Sequence, residues 1–375
     1  MSADFLSSPP ALSREDTARD LLQLTQLALA APSLAAGVTP TLEKLVSETA
    51  AVGSAYFQLE GRELAYRVRA ATGEMPATPG MQAIAAHGLP AGTPLLLALE
   101  QTAGPLFYDD TAASSDTAGF PELGVASVAA APVRTRDGRL LGAFLMHTLT
   151  PHTWRSEEAA LFTMVSGTIA ALSGRLVAEE HARQAHEAAL RALGLALEAR
   201  DGETQGHTDR VTSLALRVAA RLGWEPERLE ALRWGAYLHD IGKIAVPDAI
   251  LLKPGRLTEA EWVVMRSHVE AGGRFASALT FLPGAALDVI QDHHERWNGG
   301  GYPAGKAGEA ISLEGRVFAL CDVYDALTSH RPYKRAWTHE EAVAELRAQA
   351  GQQFDPTLVE LMIAVTETSE DSLLA

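Results

Sequence analysis

The residues best suited to do chemistry in this chain are His239 and Asp240, followed three positions on by Lys243. An adjacent His-Asp pair offers an imidazole nitrogen and a carboxylate from neighbouring positions. It can start a metal site, with the aspartate bridging two ions. The same half of the chain holds Glu203, His207, His268, His293, His294 and Asp322. That is enough nitrogen and oxygen for two or three ions, and no thiolate is among them. Asp322 lies in an apolar run with Val317, Phe318, Leu320 and Val323, where an unpaired carboxylate would be costly. Taken singly, each residue has an ordinary reading as a surface, capping or salt-bridging group. Together and in this order they point to a metal-dependent phosphohydrolase.

Helices must position these groups. Positions 208–222 and 229–239 are amphipathic, the second leading into the His-Asp pair. Thr258 and Glu261 form a capping-box signature ahead of a helix expected to carry His268. Pro283 is expected to start a helix carrying His293 and His294, and 315–328 one carrying Asp322 and Asp325. Glu203 and His207, four apart, are expected to share a helical face. The expectation is an all-α bundle with ligands projecting inward from several helices.

The first half reads differently. Short apolar runs at 54–59, 63–70, 95–99 and 106–108 suggest strands. The runs 125–134 and 140–148 flank Arg136-Asp137-Gly138, a hairpin signal. Ser156 with Glu157 and Glu158 reads as a helix N-cap. Residues 170–200 read as one helix in which Leu190, Leu193 and Leu197 suit equally a solvated connector or a dimer stalk.

Composition sets bounds. The net charge of −16 argues against nucleic-acid polymers and anionic membranes as partners. One cysteine, Cys321, excludes an internal disulfide and fits a reducing compartment. The N-terminus lacks a signal-peptide pattern, and no apolar run is expected to span a bilayer, so a cytoplasmic location is expected.

The strings His239-Asp240-Ile241-Gly242-Lys243, His293-His294-Glu295 and Asn298-Gly299-Gly300-Gly301-Tyr302-Pro303 resemble the HD-GYP subgroup of the HD superfamily. The likeness continues through Asp322 to Ser329 and Arg331-Pro332-Tyr333-Lys334; Asn298 stands where the family more often has Asp. Upstream, a helix, a mixed sheet, a central hairpin, Gly142 and the 154–161 segment resemble a GAF domain. The implied organisation is a disordered tail (1–18), an α+β GAF-like sensor (19–172), a connector helix (173–200) and an HD-type helical bundle (201–375). By resemblance the metal ligands are His207, His239, Asp240, His268, His293, His294 and Asp322. Glu203 matches the extra carboxylate of three-metal members. Asp240 and Lys243 would be catalytic; Lys243, Arg331, Lys334 and Tyr302 would contact substrate.

The implied activity is hydrolysis of cyclic-di-GMP to pGpG, or on to GMP. It would use two or three divalent ions, iron or manganese first, nickel or zinc as alternatives. Competing readings are a phosphohydrolase of another cyclic dinucleotide or nucleotide, and a non-catalytic cyclic-di-GMP-binding effector. Expected partners besides cyclic-di-GMP are an unidentified small-molecule or protein input to the sensor, a second copy of the chain, and a diguanylate cyclase at the Gly-Tyr-Pro loop.

Overall fold

The computed structural model describes residues 23, 25–28, 30–31, 33–60, 65–135, 138–202, 206–330 and 335–367. It divides into two compact units, Met1–Ala182 and Arg183–Ala375.

The first unit is built on a six-stranded antiparallel sheet. In chain order its strands are β1 (Gly53–Glu60), β2 (Ala65–Gly73), β3 (Leu89–Pro90), β4 (Leu106–Tyr108), β5 (Ser127–Arg134) and β6 (Leu140–Thr148). Their spatial order is β3-β2-β1-β6-β5-β4. Strand alternation divides the apolar residues between two layers. Tyr56, Phe144 and Met146 face α1 (Leu34–Glu48) and the start of α4 (Ser156–Asp201), meeting Leu42, Phe162, Ile169 and Leu172. Phe57, Val128 and Leu145 pack on the other face with Leu95, Leu96 and Leu99. The strands β5 and β6 pair as expected; turn residues 136–137 lie outside the described residues.

Two expectations for this unit are corrected. Residues 95–99 are helical, not extended, within α3 (Pro94–Gln101). Pro94 fixes the first helical turn, and Leu95, Leu96 and Leu99 bury one helical face. Between β2 and β3 lies α2 (Pro79–His87), where no element was expected.

The start of α4 also differs slightly, because Ser156 is its first helical residue and the cap lies one position earlier. Glu158 closes it. Its buried carboxylate accepts the N–H groups of Arg155 (2.9 Å) and Ala50 (2.8 Å) and pairs with His152 Nε2 (2.9 Å). Burial raises its pKa, yet the bonds to Arg155, His152 and Ala50 outweigh that and hold it at about 2. Because the folded value is depressed, the stabilisation is complete above the ordinary value and is lost as pH falls towards 2. We expect Glu158→Gln to cost about 2–3 kcal/mol at pH 7 and roughly half that at pH 3. Thermal unfolding of both proteins at the two pH values checks this; an equal gap at both would refute it.

The α4 helix is, among the described residues, long and apolar enough by composition to cross a membrane, against the expectation that no run is. Its candidate span is 44% buried inside the protein, and Phe162, Val165, Ile169 and Leu172 of this helix pack on the sheet.

The second unit is helical, with α5 (His207–Arg221), α6 (Pro226–Leu238), α7 (Asp248–Leu251), α8 (Glu259–Arg266), α9 (His268–Ser277), α10 (Gly284–Asp292), α11 (Leu313–Thr328), α12 (His339–Ala348) and α13 (Pro356–Glu367). Its largest core joins Val218, Leu232, Phe318, Leu320, Phe354 and Met362. The end of α4 belongs here: Leu190 packs with Trp234, Leu238 and Ile290. Leu197 is buried too, whereas Leu193 is 44% exposed. Two of the three leucines therefore serve this unit's own packing, not a free seam.

Candidate metal centre

The metal-ligand candidates sit where helices start and stop. His207 and His268 are the first residues of α5 and α9. His239 follows α6 directly, and Asp240 opens a tight 3-10 turn, Ile241–Ala245. The helix α10 ends at Asp292, and His293 caps it with helical backbone angles, its N–H still bonded to the Val289 carbonyl, so the expected placing holds to within a residue or two of the helix end. Both histidines reach one site, with ring centroids 4.1 Å apart. Likewise α8 and α9 are separate helices that meet at Ser267. Only Asp322 lies within a helix, α11. The helix α4 ends at Asp201 and α5 begins at His207. Glu203, Arg331 and Lys334 lie outside the described residues.

Two ligand groups form. One atom each from Asp240, His268, His293 and His294 lie within 4.8 Å of one another, as do atoms of His207, His239 and Asp322. Asp240 reaches both. Its Oδ1 lies 3.2 Å from His268 Nε2 and 3.7 Å from His293 Nε2, while its Oδ2 lies 3.2 Å from His239 Nε2. Close approach of the backbone makes this possible. A Cβ on Gly242 would stand 1.8 Å from the His268 carbonyl oxygen, so only glycine lets the turn lie against the start of α9.

The histidines are oriented from behind. His239, His268 and His293 donate Nδ1–H to the carbonyls of Ala236 (2.8 Å), Met265 (2.7 Å) and Ile290 (3.0 Å). His207 donates Nδ1–H to Asp325 Oδ2 at 2.7 Å, and Arg210 holds Asp325 by two further bonds. Each bond leaves the Nε2 lone pair facing the centre, as metal-binding imidazoles require. Asp240 Oδ1, His268 Nε2 and His293 Nε2 are buried and have no hydrogen-bond partner in the protein. Three converging orphaned atoms would be expensive unless a cation satisfies them.

Burial, with His293 nearby, holds His294 well below the ordinary histidine value, and burial lowers His293 as well. Burial raises Asp240, but Lys243 and His239 outweigh it and hold the carboxyl well below its usual range. Asp322 is likewise lowered, with His207 overcoming burial. Burial lowers His239 too, but Asp240 and Asp322 outweigh it and raise that imidazole, so an ion bound there would displace a proton. Ionised carboxylates with His293 and His294 held towards the neutral form make a donor set for a divalent transition metal, so these residues fit such ions.

Lys243 Nζ contacts Asp240 Oδ2 at 2.6 Å and Asp201 Oδ2 at 3.0 Å. The last turn of α4 braces the site in two further ways. Arg200 binds the carbonyls of Lys243 and Val246, and Glu198 accepts the N–H groups of Gly206 and Thr208 beside His207. The Gly-Tyr-Pro segment is fixed, not free. Buried Glu295 accepts N–H bonds from Ala304 (2.7 Å) and Lys306 (3.0 Å), and Asn298 Oδ1 accepts Gly300 N–H (2.9 Å). The amide oxygen of Asn298 thus closes this turn without a carboxylate. Tyr302 stacks on His294 at 4.7 Å between centroids.

The sequence reading missed Asp325 as the His207 orienter, though its place three after Asp322 puts it on nearly the same face of α11. It also missed Asp201, Glu198 and Arg200, whose partners no local pattern announces.

Residues 192–358 match the family model of the HD domain, and residues 15–172 that of the GAF domain. The chain is 40% identical over 245 residues to the cyclic di-GMP phosphodiesterase response regulator RpfG of Xanthomonas campestris pv. campestris (strain 8004), covering 64% of this chain and 62% of that protein. It is 41% identical over 172 residues to the 3'3'-cGAMP-specific phosphodiesterase 2 of Vibrio cholerae, covering 46% and 33%. It is 38% identical over 183 residues to a cyclic di-GMP phosphodiesterase of Thermotoga maritima, covering 48% and 50%. The chain spans less than two thirds of the length of each of these relatives.

Proposed function

Since the chain joins a GAF domain to an HD domain, a metal-dependent phosphohydrolase family, we propose that it hydrolyses cyclic-di-GMP to pGpG, or on to GMP, under control of the GAF input. The observation that carries this reading is Asp240, whose two oxygens face two separate histidine groups. Relatives named for cyclic-di-GMP hydrolysis support the substrate.

His207, His239, Asp240, His268, His293, His294 and Asp322 would hold two divalent ions, iron or manganese before nickel or zinc, with Glu203 available for a third. When bound, such ions polarise phosphoryl oxygens and acidify water. The chain's own residues do the rest. Water attacks phosphorus as the bond to the 3′ oxygen breaks. The Lys243 ammonium, fixed by Asp201, stabilises charge on the phosphoryl or departing oxygen. Tyr302 walls the substrate side of His294, and Arg331 and Lys334 bind the remainder of the dinucleotide. We assign the GAF-like sensor to 19–172, the connector to 173–200 and the HD-GYP domain to 201–375. The input travels along α4, which runs unbroken to Glu198, Arg200 and Asp201 at the site. The protein acts in the cytoplasm as a homodimer, with the Gly-Tyr-Pro loop open to a diguanylate cyclase.

The test is turnover of cyclic-di-GMP, 3'3'-cGAMP, cyclic-di-AMP and pGpG by the full chain loaded in turn with each of the four metals. We expect cyclic-di-GMP to be cut fastest and a chelator to abolish the reaction. Binding of cyclic-di-GMP with no turnover under any metal would overturn the enzymatic reading in favour of an effector.

A further inference from the structure

Beside the metal centre stands a cation that none of the chemistry above uses. Arg266 is the last residue of α8, two positions before His268. Its guanidinium carbon lies 5.3 Å from the centroid of the Tyr302 ring and 5.8 Å from that of Trp262. Tyr302 in turn stacks on His294, and its N–H donates to the His294 carbonyl at 3.2 Å. The four side chains form a continuous strip, His294–Tyr302–Arg266–Trp262, running from a metal-ligand candidate to the surface, where Trp262 is 41% exposed.

Arg266 differs from several arginines of this unit in its partners, and, unlike Arg221, Arg256, Arg274 and Arg296, which also lack a carboxylate among the described residues, it lies against two aromatic rings. Arg210, Arg228 and Arg316 each lie on a carboxylate. Among the described residues, Arg266 has ring contacts and no hydrogen bond or ion pair. Two aromatic rings hold the guanidinium in place without consuming its N–H donors. Such a fork suits a ligand presenting two acceptor atoms side by side. In a chain of net charge −16, an arginine left without a carboxylate next to a site for an anion is a recognition group.

We propose that Arg266, steadied by Trp262 and Tyr302, binds the half of the cyclic dinucleotide remote from the scissile phosphate through a bidentate acceptor pair. That pair is either guanine O6 and N7 or two oxygens of the second phosphate. The proposal rests on the dinucleotide phosphodiesterase reading and assigns a specificity residue to it.

The experiment compares the full-length protein with Arg266→Ala and Arg266→Lys. Two diesters are used: cyclic-di-GMP, and bis(p-nitrophenyl) phosphate, which has no distal half. The ratio of kcat/KM for cyclic-di-GMP to that for the small diester is expected to fall about tenfold or more in both variants, mainly through KM. Lysine should not rescue, because it lacks the planar fork. Equilibrium binding of cyclic-di-GMP to the metal-stripped chain should weaken by a similar factor. An equal loss with cyclic-di-AMP identifies the phosphate; a loss confined to guanine-containing dinucleotides identifies the base edge. A ratio and a Kd within twofold of the unsubstituted protein would overturn the proposal. If the unsubstituted protein cuts neither diester, the enzymatic reading falls and the Kd comparison still decides on Arg266. If it does not bind cyclic-di-GMP at all, both fall.

Discussion

Asp240→Ala is expected to remove metal and turnover together. Asp240 offers a carboxylate oxygen to each histidine group: Oδ1 faces His268 and His293, and Oδ2 faces His239 and Lys243. Losing it removes the oxygen donor that faces both groups and leaves the Lys243 ammonium without the carboxylate 2.6 Å away. The contribution of a metal cluster to transition-state stabilisation is several kcal/mol, so kcat/KM should fall roughly 10³-fold or more. Asp240→Asn separates charge from shape. Its amide occupies the same space but presents at most one oxygen, so metal content should drop at least to half, with activity falling nearly as far as in the alanine variant. Metal analysis and turnover of the three proteins, with circular dichroism to establish folding, decide the matter. An alanine variant that keeps both metal and activity would show that Asp240 bridges nothing.

The chemistry was more legible than the geometry that delivers it. His239-Asp240 and His293-His294 stand out because two ligand-type residues are adjacent in sequence. The hairpin stands out because a turn signal separates two apolar runs. Where the reading failed, local pattern and tertiary context disagreed. The leucines at 95–99 are too short a run to distinguish strand from helix by periodicity, and Pro94 settled it as a helix start. His293 and His294 were placed on a helix because an apolar pattern leads into them, and the helix closes there, with His293 as its cap. The Asp325–His207 bond spans 118 residues, and Arg200 meets the Lys243 carbonyl across 43. No window-based pattern contains both partners of such a pair. What unites the misses is support: residues that directly face the centre have recognisable types and spacing, whereas those that hold them are ordinary charged residues made specific by folding.

Gly242→Ala is expected to cost more stability than its single methyl group suggests, and to empty the site as it does so. The added Cβ would meet the His268 carbonyl oxygen at 1.8 Å, Gly272 N at 2.5 Å and the His268 carbonyl carbon at 2.7 Å. All three are backbone atoms, so no rotamer change relieves the overlap. Either the turn Ile241–Ala245 lifts from α9 or the first turn of α9 moves away. Both motions separate Asp240 from His268, now 3.2 Å apart. Overpacking typically costs 1–3 kcal/mol, and with rigid atoms on every side about 3 kcal/mol or more is expected here. For a unit of this size that lowers Tm by roughly 6–12 °C. Gly284→Ala is the matched control, since a Cβ there meets nothing within 4 Å and should change stability by no more than about 0.5 kcal/mol. Thermal unfolding and metal titration of both variants provide the comparison. If Gly242→Ala melts with Gly284→Ala and binds metal as well, the turn is not held against α9, and the placing of Asp240 beside His268 needs another cause.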